Sequence, residues 1–133
     1  MSQRRIAVIP VLGGGKDRRL VLVTARRHGR WIVPTGKPEA KLSDKRVAAL
    51  EAFEEAGVVG RLKKLRRPSR IMCRSASGKP RRLDLYGLDV QKTLNQWPEK
   101  NQRQRCVVGL EELDQMPMDE QLKRAIRRYF KTL

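Results

Sequence analysis

An α/β (α+β) fold is predicted by three features of the chain: short β-branched and aliphatic runs broken by glycine and proline, one strongly capped central helix, and an amphipathic helix at the end. Its 133 residues suit one compact domain, residues 1–133, long enough to bury a core. Arg5–Leu12 and Leu20–Ala25 read as strands joined across Gly13, Gly14, Gly15, Lys16 and Asp17. That glycine run is a turn and not a phosphate loop, because Asp17 stands where Ser or Thr should follow the lysine. Trp31–Val33 is a further strand stopped by Pro34, and Thr35–Leu42 is a loop.

The central helix is expected over Asp44–Ala56. Ser43 can cap its first turn with a hydroxyl, and Gly57 stands where a left-handed terminal residue is wanted. At about 100° per residue, Ala49, Ala52, Phe53 and Ala56 share one side, and Glu51, Glu54 and Glu55 share the opposite one. Arg70–Arg74, Leu83–Val90 and Cys106–Leu110 read as strands, the first two paired across Ser75–Pro80. Asp119 can cap a last helix whose Leu122, Ala125, Ile126, Tyr129, Phe130 and Leu133 recur at helical spacing and form a core stripe.

Composition narrows the function. The two cysteines, Cys73 and Cys106, form no CxxC pair, and His28 is the only histidine, so a zinc site of the usual ligand count is excluded. Reduced thiols, the lack of an apolar run of about 20 residues and the lack of an N-terminal apolar stretch lead to the expectation of a soluble, cytoplasmic protein. The net charge of +17, from 31 Lys and Arg against 14 Asp and Glu, attracts polyanions. Between Arg61 and Arg105 the only acidic residues are Asp84, Asp89 and Glu99, so an anion is expected to dock near that segment. A phosphate-rich small molecule and RNA are both open as partners, no membrane is expected, and either a monomer or a homodimer is compatible.

Three glutamates at i, i+3 and i+4 on one helix face repel one another unless a cation lies between them. Hard carboxylate oxygens suit Mg²⁺ or Mn²⁺. The surrounding string carries a sharper signal: Gly36 to Leu42, seven residues, then Leu50, Glu51, Ala52, Phe53, Glu54, Glu55, Ala56, Gly57 and Val58. It resembles the box of the Nudix hydrolases, a glycine, five residues, a glutamate, seven residues, then Arg-Glu-aliphatic-x-Glu-Glu-x-Gly-aliphatic. Two positions depart from it: Leu42 replaces the first glutamate and Leu50 the arginine that helps orient the others. Glu39 is a candidate replacement carboxylate, and packing on the edge of the apolar face is the simplest role for Leu50.

The resemblance implies an α/β/α sandwich with a mixed sheet between helices, and a metal-dependent hydrolase of phosphoanhydride bonds. Glu51, Glu54, Glu55 and the Gly36 carbonyl would hold Mg²⁺ or Mn²⁺, and Glu54 or Glu55 would help deprotonate the attacking water. Some members use a later carboxylate, for which Glu99 is the candidate. Arg27-His28 before Trp31-Ile-Val-Pro34, and Trp97-Pro-Glu followed by Arg103 and Arg105, look like diphosphoinositol polyphosphate and diadenosine polyphosphate phosphohydrolases. Arg27, Arg82, Arg103 and Arg105 are therefore the expected substrate-binding residues. Few aromatic residues remain for base stacking once Phe53, Tyr129 and Phe130 are assigned to the core; Trp31, Tyr86 and Trp97 are the candidates. The rival readings are a catalytically silent, salt-sensitive binder of RNA or another polyanion, and an enzyme acting on capped or triphosphorylated RNA ends.

Overall fold

The computed structural model describes residues 3–26, 29–75 and 77–133. Its strands are β1 (Gln3–Leu12), β2 (Arg19–Thr24), β3 (Trp31–Ile32), β4 (Thr35–Gly36), β5 (Val58–Lys64), β6 (Arg70–Arg74), β7 (Pro80–Thr93) and β8 (Arg105–Val108). The helices are α1 (Asp44–Ala56), α2 (Leu110–Leu113) and α3 (Glu120–Lys131). The strands form one mixed sheet with the central order β3-β2-β1-β7-β5; β4 pairs with β1, β6 with β7 and β8 with β2.

The parallel pairing of β1 with β7, from Gln3 opposite Arg81 to Val11 opposite Asp89, is the spine of this sheet. The middle of each strand is buried on both faces, so apolar residues there run on with little polar alternation, Asp84 being the exception. Alternate side chains serve two cores. Ala7, Ile9, Leu83 and Leu85 face α3 with Leu122, Ile126 and Tyr129. Ile6, Val8, Tyr86 and Leu88 face α1 with Val47, Ala48, Ala52 and Ala56. The expected layering of helix, mixed sheet and helix is therefore present.

Local signals place α1 within the predicted bounds. The Ser43 side chain accepts from the Arg46 N–H, and Gly57, at φ 64°, returns its N–H to the carbonyls of Ala52 and Phe53. The face assignment differs from expectation. Ala49 is exposed, Phe53 joins neither core, and Val47, Ala48, Ala52, Glu55 and Ala56 are buried. On a helical wheel Glu55 lies between Glu51 and Ala48, about 40° from the first and about 20° from the second, so the acidic stripe overlaps the packed face. Leu50 does not pack either: it is 38% exposed.

β5 was not expected from the sequence, and its position explains why. It is an edge strand, with a register shift between Val59 and Gly60, whose exposed residues are mostly basic or small. The β6–β7 hairpin pairs as expected, Arg74 opposite Pro80. The strand expected over Cys106–Leu110 ends at Val108, and Leu110 instead opens α2. At the C-terminus Asp119 caps α3 through the N–H groups of Gln121 and Leu122, but Leu133 is exposed and not part of the core stripe.

Gly87 tests the packing of α3 on the sheet. A Cβ there would fall on the ring and hydroxyl of buried Tyr129. Gly87→Ala is expected to destabilise the protein by about 1–3 kcal/mol through overpacking, read as a lowered urea midpoint without a change in slope.

Candidate active site

The site is built where the C-terminal half of α1 meets β4 and the loop before β8. Gly36, in β4, faces Glu51 so closely that a Cβ would lie 2.4–2.7 Å from the glutamate side chain. Only glycine leaves room for the carboxylate beside this strand. One turn on, Glu55 is 3% exposed and accepts the backbone N–H of Thr35 at 3.3 Å. Its carboxyl group meets that of Glu51. Burial above all, then the contact with Glu51, pushes the Glu55 pKa up to about 9, against the opposing pull of Arg103 and the Thr35 amide.

Glu54 points to a neighbouring position. Its pKa is raised, first by desolvation and then by the charges of Glu51, Glu99 and Glu39. Glu99 is brought there by its own N–H, which donates to the Glu54 carbonyl at 2.9 Å. Glu39 and Glu99, both flagged by sequence, thus stand in the same acidic field as the helix glutamates. Among the described residues no three His, Cys, Asp or Glu side chains converge tightly enough to hold an ion. The closest donor set is the Glu51–Glu55 pair beside Gly36. Two carboxyl groups in contact, one of them buried, fit a hard divalent cation, whose charge would replace the proton that otherwise relieves their repulsion.

Arg103 supplies the fixed positive charge missing at Leu50. Its guanidinium is 11% exposed, donates from Nε to Glu99 at 2.9 Å and from Nη1 to the Thr24 carbonyl at 3.0 Å, and lies 3.9 Å from Glu55. Arg26 adds a second, longer pair to Glu99 at 3.3 Å. A guanidinium from the loop before β8 therefore bridges two carboxylates that α1 and the Trp97 loop present separately.

The other expected arginines fall in different places. Arg105 donates to the carbonyls of Ala56 and Leu94, each at 2.9 Å, and stacks over Trp97 at 4.0 Å, so it finishes the C-terminal end of α1. Trp97 packs against Gly57 and donates its indole N–H to the Glu55 carbonyl. Arg82 lies on the α1 side of β7, paired with Asp84 in a network that includes Arg4 and Asp44. Arg27 lies outside the described residues. Beside the glutamates opens a cleft of about 390 Å³ lined by Arg5, Arg26, Arg30, Arg81, Arg103 and Trp31, among others. Arg5, Arg26, Arg30 and Arg81 were not singled out by sequence. The available signal was parity: Arg5 and Arg81 occupy the odd positions that face α3, which becomes informative only once β1 and β7 are known to be parallel.

The model of the NUDIX domain family matches residues 1–130. The chain belongs to the Nudix family. Nudix hydrolases cleave pyrophosphate bonds and generally use divalent metals, and the chain is an enzyme of this pyrophosphohydrolase type. No match is found among curated proteins. Solved structures share the Nudix fold at low identity. A Nudix hydrolase from Nitrosomonas europaea superimposes with a TM-score of 0.78 at 16% identity, covering 99% of this chain and 90% of that one. A Caenorhabditis elegans Ap4A hydrolase in a binary complex gives 0.72 at 16% identity, covering 98% and 96%. The NUDIX domain of Shewanella oneidensis NrtR, complexed with ADP ribose, gives 0.72 at 14%, covering 99% and 88%. No helix among the described residues is long and apolar enough to cross a membrane.

Two outcomes test this electrostatic arrangement. Because the folded-state pKa of Glu55 is raised, the folded protein holds a proton that the unfolded chain releases above about pH 4.5. The resulting stability is complete below that pH and is lost as pH rises towards about 9. In chelator, stability should fall with pH across this window by at most about 1.4 kcal/mol per pH unit, and Glu55→Gln should flatten the slope in denaturant titrations. Arg103→Ala should cost about 2–3 kcal/mol by leaving Glu99 and the Thr24 carbonyl without their charged donor, measured by urea unfolding at pH 7.

Proposed function

We propose that the chain hydrolyses the phosphoanhydride bond of a polyphosphorylated substrate, such as a diphosphoinositol polyphosphate or a dinucleoside polyphosphate, with Mg²⁺ or Mn²⁺. The carrying observation is the Glu51–Glu55 pair, Glu51 facing Gly36 and Glu55 buried against Thr35 and Arg103, two residues that also line the arginine-rich cleft. Glu51, Glu54, Glu55 and the Gly36 carbonyl are the groups that would hold the cations. When bound, the metals act as Lewis acids that neutralise charge on the phosphate chain.

The chain's own residues supply the rest. Glu55, oriented by the Thr35 amide and Arg103, holds its proton near neutral pH because its pKa is raised; a cation bound beside it would displace that proton and leave a carboxylate able to act as a base. Glu54 and Glu99 are the alternative bases, and the raised pKa of Glu54 suits it to the same task. Arg103 holds Glu99 and Glu55 at fixed spacing, the part assigned in family members to the arginine replaced here by Leu50. The cleft arginines would grip the phosphate groups that are not cut.

A second reading, a catalytically silent domain that binds RNA or another polyanion, draws support from the exposed Leu50 and from the basic β5 edge with Arg61, Lys63 and Lys64. Phosphate release separates the two. With Mg²⁺ or Mn²⁺, a panel of diphosphoinositol polyphosphates, dinucleoside polyphosphates, nucleotide sugars and triphosphorylated RNA ends should yield turnover on at least one class. Glu55→Gln and Glu54→Gln should each lower kcat by about 100-fold or more. Turnover unchanged in both variants would remove the basis of the reading, and salt-sensitive RNA binding with no release would favour the silent domain.

A further inference from the structure

Two of the cleft arginines are diagonal neighbours that form no salt bridge among the described residues. Arg81, at the start of β7, stands opposite Gln3, and Arg5, two residues along β1, stands opposite Leu83. The parity of the strands sends both side chains to the α3 face, as diagonal neighbours across the spine of the sheet. Both line the cleft that reaches Thr35, whose amide holds Glu55. Among the described residues neither makes a salt bridge to Asp or Glu. Arg5 donates to the side-chain oxygen of Gln3, and the Nε of Arg81 is buried without a hydrogen-bond partner.

Such an arrangement is costly as it stands. A buried charged donor left unmade loses its hydration for nothing, and two guanidinium groups side by side repel. Burial and the charge of Arg81 lower the pKa of Arg5, while Glu51 opposes the shift, so Arg5 stands within the fields of both. One ligand removes both penalties: an anionic group with several oxygens, placed between planar guanidinium forks. We propose that Arg5 and Arg81 form an anion subsite that receives a phosphate remote from the scissile bond and selects compact, densely phosphorylated, base-free substrates.

The selection of a base-free ligand follows from the rest of the lining. Among the described residues Trp31 is the one aromatic residue lining the cleft, and it is packed against the α3-side core. Tyr86 is buried under α1, and Trp97 is covered by Arg105. Among the described residues a base would find one partial platform, whereas phosphates would find Arg5 and Arg81, which, unlike Arg26 and Arg103 with their Glu99 pairs, have no salt-bridge partner of their own. This inference deepens the hydrolase reading, on which the assignment of the ligand as substrate rests, but the binding it describes needs neither metal nor turnover.

The test is calorimetric binding of inositol hexakisphosphate, inorganic tripolyphosphate and ADP to the full chain in chelator. Hexakisphosphate should bind most tightly, and Arg5→Gln and Arg81→Gln should each weaken it by about tenfold or more. Arg61→Gln and Lys63→Gln, on the β5 edge, should leave it nearly unchanged. Arg81→Lys, which keeps the charge and loses the fork, should fall between wild type and Arg81→Gln; this milder change, with the thermal midpoint of every variant, separates lost binding from lost folding. Wild-type affinity in Arg5→Gln and Arg81→Gln, or ADP binding as tightly as hexakisphosphate, would overturn the subsite. The hydrolase reading fails separately. Arginine-dependent binding with no turnover on any phosphoanhydride sinks the hydrolase reading and leaves the subsite. Metal-dependent turnover with KM unchanged in Arg5→Gln and Arg81→Gln sinks the subsite alone.

Discussion

A carboxyl group buried against a β-sheet is the constraint around which this molecule is arranged. Glu55 occupies a position on α1 that packing alone would give to an apolar side chain, and it stands in contact with a second carboxyl group, that of Glu51. Such a group persists only if its surroundings answer its charge or keep it protonated. The Thr35 amide, the absence of a side chain at Gly36 and the guanidinium of Arg103 are the answers this fold provides. These answers come from β4 and from the loop before β8, so holding Glu55 in place also fixes β4, α1 and the approach to β8 relative to one another.

The parallel β1–β7 pair makes that convergence possible. Because the middle of each strand is covered on both faces, one parity of residues supports α1 and its glutamates while the other builds the core beneath α3 and the floor of the cleft. Opposite charges are thereby sorted onto adjoining parts of one region. Carboxyl groups gather along α1, and guanidinium groups from β1, β7 and the loops line the adjacent cleft. Acidic groups suited to cations beside basic groups suited to phosphate form a surface complementary to a metal-bound phosphate chain.

The departures from the family box show how a site can be reassembled from distant residues. Leu50 is solvent-exposed and leaves the helix without an internal guanidinium. Arg103, more than fifty residues further along the chain, brings its charge to Glu55 and Glu99. Trp97 and Arg105 brace the same region from behind by meeting the last carbonyls of α1. Arg105 is therefore taken up by the scaffold although its spacing from Arg103 invites a shared ligand.

What could be read along the chain was local. The caps of α1, the box glutamates with Gly36, the β6–β7 hairpin and the apolar stripe of α3 depend on interactions within a few residues, which leave periodic or positional marks in the sequence. The edge strand β5 left no such mark, because apart from Val58 and Leu62 its residues are exposed and meet the fold through backbone hydrogen bonds, which any side chain permits. The side of the sheet that Arg82 faces and the meeting of Arg5 with Arg81 were settled by the parallel pairing of strands nearly eighty residues apart. The separate tasks of Arg103 and Arg105 were settled by the docking of β8 and its preceding loop against β2 and the end of α1. Charge on an arginine is visible in its letter. Its partner is chosen by whichever surface the folded chain brings within hydrogen-bonding reach, and no spacing rule encodes that distance.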